Sequence, residues 1–215
     1  MDGRKGGKIK ILIADDHPIF RQGLKHAFSE TADLSVVGEA TNGAEVLEKV
    51  RAMDIDVVLL DISMAEQSSL DTLKQMKIDR PKLPVLILSV YPEEQCAVRF
   101  IRAGAAGYLT KESISVQLLE AVRKVAGGGR YVSQALTEKL AFDFADPQRK
   151  PHEYLSDREF QVFCMIGSGK SLTQIGKELS LSVKTVGTHR THILEKMKMK
   201  NNAQLIQYAI YNNLA

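Results

Sequence analysis

A doubly wound α/β domain followed by a small all-α domain is the fold class this sequence predicts, on three observations. Apolar runs without polar alternation, such as Ile9–Ala14 and Val57–Asp61, recur between amphipathic stretches as far as Ala126. That is the pattern of parallel strands covered on both faces by helices. A polar, proline-bounded stretch, Ala145-Asp146-Pro147-Gln148-Arg149-Lys150-Pro151, then interrupts it. Beyond that stretch the caps and apolar spacings are helical only. A chain of 215 residues is long enough for two domains.

The strand-like segments are Ile9–Ala14, Leu34–Ala40, Val57–Asp61, Pro84–Val90 and Gly107–Leu109. Helical patterns lie between and after them at Ile19–Ser29, Gly43–Met53, Leu70–Ile78, Glu93–Ala103 and Ile114–Ala126. Short loops and right-handed crossovers give a flavodoxin-like (βα)5 sheet of order 2-1-3-4-5. Gly127-Gly128-Gly129 stops the fifth helix, since consecutive glycines favour coil. Gln134–Phe144 reads as a short helix inside a linker.

In the second half Ser156-Asp157-Arg158-Glu159 is a capping box, and Phe160, Phe163, Cys164 and Ile166 give its helix a buried face. Gly167-Ser168-Gly169 ends that helix. Ser171 or Thr173 opens a second through Leu179, and Ser180-Leu181-Ser182 is a tight turn. A third runs from Val183 to Met197, with Val183, Val186 and Ile193 facing inward. The last spans Asn202 to Tyr211, with Leu205, Ile206, Ala209 and Ile210 packed and Tyr208, Tyr211 or Asn212 free for a partner. The predicted divisions are a domain at 8–127, a linker at 128–153 and a four-helix domain at 154–215.

Charged residues are 26% and hydrophobic residues 44%, which fits a soluble globular chain and excludes global disorder. No apolar stretch approaches the roughly 20 residues that span a bilayer, so no membrane partner is expected. The basic start Met1–Gly7 has no cleavage pattern and reads as a frayed tail. Cys96 and Cys164 stand far apart, which supports neither a disulfide framework nor a cysteine metal site and points to a reducing, cytoplasmic setting. The net charge of +3 hides an asymmetry: 14 Lys/Arg against 17 Asp/Glu from Ile9 to Gly127, and 8 against 5 from His152 to Ala215. Only the second half is suited to a polyanion.

Asp15 and Asp16 follow the first strand and Asp61 ends the third, so all three reach the carboxyl edge of one parallel sheet. Crowded carboxylates repel unless a divalent cation sits among them, and hard oxygen ligands suit Mg2+. Asp61 is then positioned to attack a phosphoryl group. Ser89 at the end of the fourth strand can donate to a phosphoryl oxygen, and Lys111 past the fifth supplies a cation. Taken singly, a strand-terminal aspartate is more often a helix cap or turn acid. The joint placement carries the assignment.

Asp15-Asp16-His17-Pro18, Leu60-Asp61-Ile62-Ser63-Met64, Leu88-Ser89-Val90-Tyr91 and Gly104-Ala105-Ala106-Gly107-Tyr108-Leu109-Thr110-Lys111 resemble the receiver domain of bacterial two-component response regulators. The resemblance implies that Asp61 takes a phosphoryl group from a sensor histidine kinase. It also implies that Asp15, Asp16, Asp61 and the backbone carbonyl of Ser63 hold Mg2+, that Ser89 and Lys111 meet the phosphoryl group, and that Tyr108 is an aromatic switch. The chain departs from the family at Met64-Ala65-Glu66-Gln67-Ser68-Ser69, where a proline and two glycines are usual.

Leu172–Thr191 reads as a helix-turn-helix. Lys184, Arg190, Lys196, Lys198 and Lys200 fall within 17 residues with Glu195 the sole opposing charge, a net of +4. A helix with an apolar inner face and a basic flank fits the major groove, whereas the bland reading is a solvated face. Leu155-Ser156-Asp157-Arg158-Glu159, Gln174-Ile175-Gly176-Lys177-Glu178-Leu179 and Thr185-Val186 through His189 resemble the LuxR-type DNA-binding domain. The family most often has lysine where this chain has Gly187, which moves the expected contacts to Lys184, Thr185, Thr188, His189, Arg190 and Lys196.

Together the two halves resemble NarL/FixJ-type response regulators. The resemblance implies a transcription regulator and not an enzyme, with a sensor histidine kinase and double-stranded promoter DNA as partners and RNA polymerase as a further candidate. It also implies a homodimer when phosphorylated. Two other readings stand beside it. One is a phosphorylation-independent pseudo-receiver, which the altered loop favours. The other is a Mg2+-dependent aspartyl-phosphate phosphohydrolase, which would want a carboxylate where Ser63 stands.

Overall fold

The computed structural model describes residues 7–64, 68–134, 136–138, 150–212 and 214. They fall in two compact units, Met1–Glu138 and Lys139–Ala215. Ala65–Gln67 of the altered loop and residues 135 and 139–149 of the expected linker lie outside the described residues. Of the helix expected at Gln134–Phe144, 134 and 136–138 are helical and the remainder also lies outside them.

The first unit is a parallel five-stranded sheet of order β2-β1-β3-β4-β5, as the apolar runs predict. Its strands are β1 (Ile9–Ala14), β2 (Leu34–Ala40), β3 (Val57–Asp61), β4 (Val85–Ser89) and β5 (Gly107–Thr110). Helices α1 (Pro18–Ser29), α2 (Gly43–Ala52), α3 (Ser69–Asp79), α4 (Glu93–Arg102) and α5 (Ile114–Ala126) cross between and after them. Every residue of β3 and β4 is buried, which is why these strands carry no polar alternation. Burial of each of Val57, Leu59, Leu86 and Leu88 contributes about 1.5–3 kcal/mol, and Leu59→Ala would cost roughly 2–5 kcal/mol. Asn42 and Ser68 cap α2 and α3 by accepting from the amides of Glu45 and Asp71.

Register sets the acids level. Ala14 lies opposite Leu60, so Asp15 and Asp61 each follow by one residue at the same height. Ser89 pairs with Thr110, which puts Lys111 one residue beyond the same edge.

Past α5 the chain turns through Gly128, whose φ of +82° favours glycine, and Tyr131 then forms a parallel bridge beside β5 at Gly107. The Tyr131 amide donates to Ala106 O at 2.9 Å, and the Tyr108 amide donates to Tyr131 O at 3.1 Å. A Cβ on Gly107 would stand 2.6 Å from Tyr131 O, so only glycine admits this approach. By sequence this stretch is expected to be linker, because a single bridging residue has no periodicity.

The second unit opens with a 3-10 turn at Pro151–Tyr154, followed by α6 (Asp157–Gly167), α7 (Leu172–Glu178), α8 (Val183–Lys196) and α9 (Asn202–Tyr211). The expected capping box is formed, with Ser156 accepting from Glu159 N and Glu159 accepting from Ser156 N. Ser171 opens α7 with a second capping box through Gln174. Helix α6 buries more than the predicted stripe: Gln161, Val162 and Met165 are as enclosed as Phe160, Phe163, Cys164 and Ile166. It is the central helix of this unit, covered on several sides.

Between α7 and α8, Ser180 takes a left-handed φ of 54°. A Cβ on Gly176 would lie 2.7 Å from Leu181 O, so glycine lets the turn close onto α7. Two expected inward positions are corrected. Val183 is 48% exposed and Ile210 is 63% exposed, because Val186, Ile193, Leu205 and Ala209 already fill the inward faces. Among the described residues, no helix is long and apolar enough to cross a membrane.

Candidate functional site

The carboxyl edge of the sheet gathers the predicted acids. Asp15 and Asp61 are fully buried, and the Lys111 ammonium sits between them, 2.7 Å from Asp15 Oδ2 and 2.9 Å from Asp61 Oδ2. The same ammonium lies 4.3 Å from the centre of the Phe20 ring, whose face attracts a cation. Nothing in the sequence marks Phe20 for this place, since an aromatic at that helix position reads as core. The Ser63 amide donates to Asp61 Oδ1 at 3.1 Å, and the buried Ser69 hydroxyl donates to the Asp61 backbone carbonyl at 3.1 Å. The first contact holds the carboxylate and the second holds the Asp61 backbone.

Two carboxylates share one lysine here, and the electrostatics reflect it. Burial pushes the Asp61 pKa up to about 6, with the Asp15 carboxylate adding to the rise and Lys111 opposing both. For Lys111, burial acts to lower the pKa. Asp61 and Asp15 outweigh it and hold the ammonium above its ordinary value.

Asp16 completes the acid set, and Asp16 Oδ1 is buried without a well-directed hydrogen bond among the described residues, although His17 Nδ1 is 2.8 Å away. Asp15, Asp16, His17 and Asp61 each bring one ligand atom within 4.8 Å of the others. An orphaned acid oxygen in an over-acidic pocket fits a hard divalent cation such as Mg2+. His17 is absent from the predicted set, yet its amide donates to Asp15 Oδ1 at 2.7 Å. Its position directly after the acid pair is the signal that could have found it.

Ser89 and Tyr108 meet at one residue. Buried Ser89 accepts from the Tyr91 amide at 2.9 Å, and the buried Tyr108 hydroxyl donates to Tyr91 O at 2.9 Å. Burial pushes the Tyr108 phenol well above its ordinary pKa, so it stays a neutral donor. The loop after β4 is therefore held at Tyr91 by both residues predicted to switch.

In the second unit the predicted contact residues divide. Lys184, Thr185 and Thr188 are exposed on α8, while His189 and Arg190 are half-buried. Burial, with Arg158 nearby, lowers the His189 pKa, which favours a neutral ring. Arg190 Nε donates to Asn202 Oδ1 at 2.5 Å, and Lys196 Nζ donates to Glu159 Oε2 at 2.6 Å. Two of the expected phosphate-binding cations are thus engaged within the fold. Thr191 and His192 share the exposed face with Lys184 and Thr188, as helical spacing from Lys184 would have indicated. Gly187 lies inside the helix on this side, and a Cβ there would meet nothing within 4 Å. Glycine at such a position is less favourable than alanine by roughly 1 kcal/mol.

Residues 11–123 match the family model described as response regulator receiver domain, and residues 153–209 that of bacterial regulatory proteins, luxR family. The chain is 35% identical over 208 residues to the response regulator GacA of Pseudomonas syringae, covering 96% of this chain and 97% of that protein. It is also 35% identical over 214 residues to the oxygen regulatory protein NreC of Staphylococcus haemolyticus, covering 96% and 99%. Among solved structures, the response regulator ChrA of a heme-sensing two-component system aligns with a TM-score of 0.51 at 30% identity, covering 98% of this chain and 100% of that one. RcsB from Salmonella enterica serovar Typhimurium, bound to promoter DNA with a phosphomimetic, aligns with a TM-score of 0.59 over 94% and 98%; its 22% identity speaks for the fold alone. With both halves matched in order and nearly full-length relatives at this identity, the chain belongs to the NarL/FixJ family of DNA-binding two-component response regulators.

Proposed function

We propose that phosphotransfer from a sensor histidine kinase to Asp61 controls dimerisation and promoter binding by this regulator. The observation that carries the reading is the Lys111 ammonium shared between two fully buried carboxylates, Asp15 and Asp61. An Asp61 oxygen attacks phosphorus, the P–N bond of a phosphohistidine breaks, and an acyl phosphate forms. Lys111 then exchanges its carboxylate partner for a phosphoryl oxygen. Asp15, Asp16, Asp61 and the Ser63 carbonyl would hold Mg2+, which when bound offsets charge on the phosphoryl oxygens. Ser89 releases the Tyr91 amide to donate toward the phosphoryl group, and Tyr108, tied to the same loop residue, follows.

The basic second unit supports promoter DNA as ligand, with Lys184, Thr185 and Thr188 on the face of α8 that enters the major groove. Exposed Ile210 and Tyr211 on α9 support a pairing surface between copies. The buried cysteines Cys96 and Cys164 suit a reducing cytoplasm. Position 63, two residues past the nucleophile, carries a serine, so the general acid/base carboxylate wanted by a phosphohydrolase is missing there.

The test is acetyl phosphate labelling of the intact chain with and without Mg2+. The expected result is Mg2+-dependent incorporation that Asp61→Asn abolishes. Equal labelling of the variant would overturn the site.

A further inference from the structure

We propose that α8 reads thymine methyl groups in the major groove, through a methyl-lined notch centred on Gly187 and flanked by Val183, Thr188 and Thr191. The inference rests on the reading that α8 enters that groove, and it names what the helix selects there.

Helical spacing places Val183, Gly187 and Thr191 in one row along the helix, with Lys184 and Thr188 in the row beside it. The Thr188 hydroxyl donates to Lys184 O at 3.2 Å and the Thr191 hydroxyl to Gly187 O at 3.2 Å. With both hydroxyls turned back onto the helix, the other branch of each side chain, a methyl, faces outward. Val183 adds two more methyls at the first turn and is 48% exposed. Between them Gly187 leaves a gap that a Cβ would occupy without touching any other atom of the chain.

The fold gives no reason for a helix-breaking residue at this point, so the reason lies in what the helix meets. A gap edged by methyls accepts the C5 methyl of thymine, the one apolar group on a major-groove base edge. Guanine is read chiefly by a forked guanidinium or an ammonium, and Arg190, the arginine of this helix, is bound to Asn202. Lys184 remains at the first turn to meet a phosphate. Glu195, one turn past Thr191 in the same row, bounds the strip with a charge that phosphates repel.

The experiment uses the intact chain with beryllofluoride and a random-sequence duplex pool. Recovered sites are resynthesised with uracil in place of thymine, one position at a time, which removes the methyl and keeps every hydrogen-bonding edge. Affinity should fall about fourfold at each contacted thymine, the effect of uncovering one methyl-sized group, with the salt dependence unchanged. Gly187→Leu, at a site where an added Cβ meets nothing within 4 Å, should keep the thermal transition of a folded helical unit and lose the preference for thymine over uracil duplexes. Equal affinity for thymine and uracil duplexes overturns methyl readout and leaves DNA binding standing. Selection of the same sites with the same affinity by Gly187→Leu overturns the notch. Failure of every duplex to bind at low salt removes the groove reading as well.

Discussion

Asp61 and Glu159 are both buried acids paired to a lysine, one in each unit, and their charges behave oppositely. Asp61 shares Lys111 with Asp15, and burial pushes it up to about 6. For Glu159, burial acts to raise the pKa, but the Lys196 ammonium and the amide and hydroxyl of Ser156 more than offset it, and its carboxyl stays below the ordinary value. Glu159 has a lysine to itself and a helix N-terminus to cap; Asp61 has half a lysine and one amide. The satisfied acid is structural, holding α6 to α8. The under-compensated acid stores a demand for positive charge that a divalent cation can meet. Gly187 is the helical unit's own uncompensated position, a local cost with no return inside the fold.

Asp61→Asn gives the largest expected effect. Labelling by acetyl phosphate falls to background, and stability without Mg2+ rises by about 1–3 kcal/mol because an excess buried charge is gone. Chemical denaturation of both proteins in chelator measures the second effect, and a destabilised variant would break the contrast with Glu159. The pH dependence carries the same sign. The folded state binds the Asp61 proton more tightly than the unfolded chain does, so the metal-free receiver gains stability as pH falls from about 6 toward the ordinary 3.8.

Glu159→Gln should instead destabilise the helical unit by roughly 1–3 kcal/mol at neutral pH, read from its thermal transition. The sign reverses here. A lowered carboxyl pKa stabilises above the unfolded value, and that contribution is lost as pH falls through the folded one. An equal loss of stability from neutral to acid pH in the wild type and in Glu159→Gln would remove the structural role.

Lys184 and Lys196 sharpen the comparison within one helix. Lys184→Met should reduce the salt slope of DNA binding by about one phosphate. Lys196→Met should leave that slope alone and lower stability, since its ammonium is held by Glu159. Equal slopes for the two variants would make Lys196 a phosphate ligand after all. The smallest effect belongs to Gly187→Ala, which should stabilise the helical unit by up to about 1 kcal/mol in denaturant titration. A loss of stability would mean that the fold uses this glycine.

Strands, helices, caps and the height of the acids are all encoded locally along the chain. These follow from local periodicity and from chemistry within a few residues: unbroken apolar runs for β3 and β4, and Ser156 with Glu159 for the start of α6. Asp15, Asp61, Ser89 and Lys111 were legible because each marks a strand end, and parallel register brings strand ends together. The partners of the long side chains emerge only from the folded packing. Lys111 lies 96 residues from Asp15 in sequence and 50 from Asp61. Lys196 reaches Glu159 across 37 residues, and Arg190 reaches Asn202 across the turn between α8 and α9. A flexible cation carries no periodic signature of its target, so a basic flank in the sequence cannot distinguish a phosphate ligand from an internal brace. The same holds for Val183 and Ile210, apolar by composition but outward once Val186, Ile193, Leu205 and Ala209 had filled the inward faces. Which of several suitable residues wins a limited buried volume is settled by packing across the whole unit, and no local window contains that information.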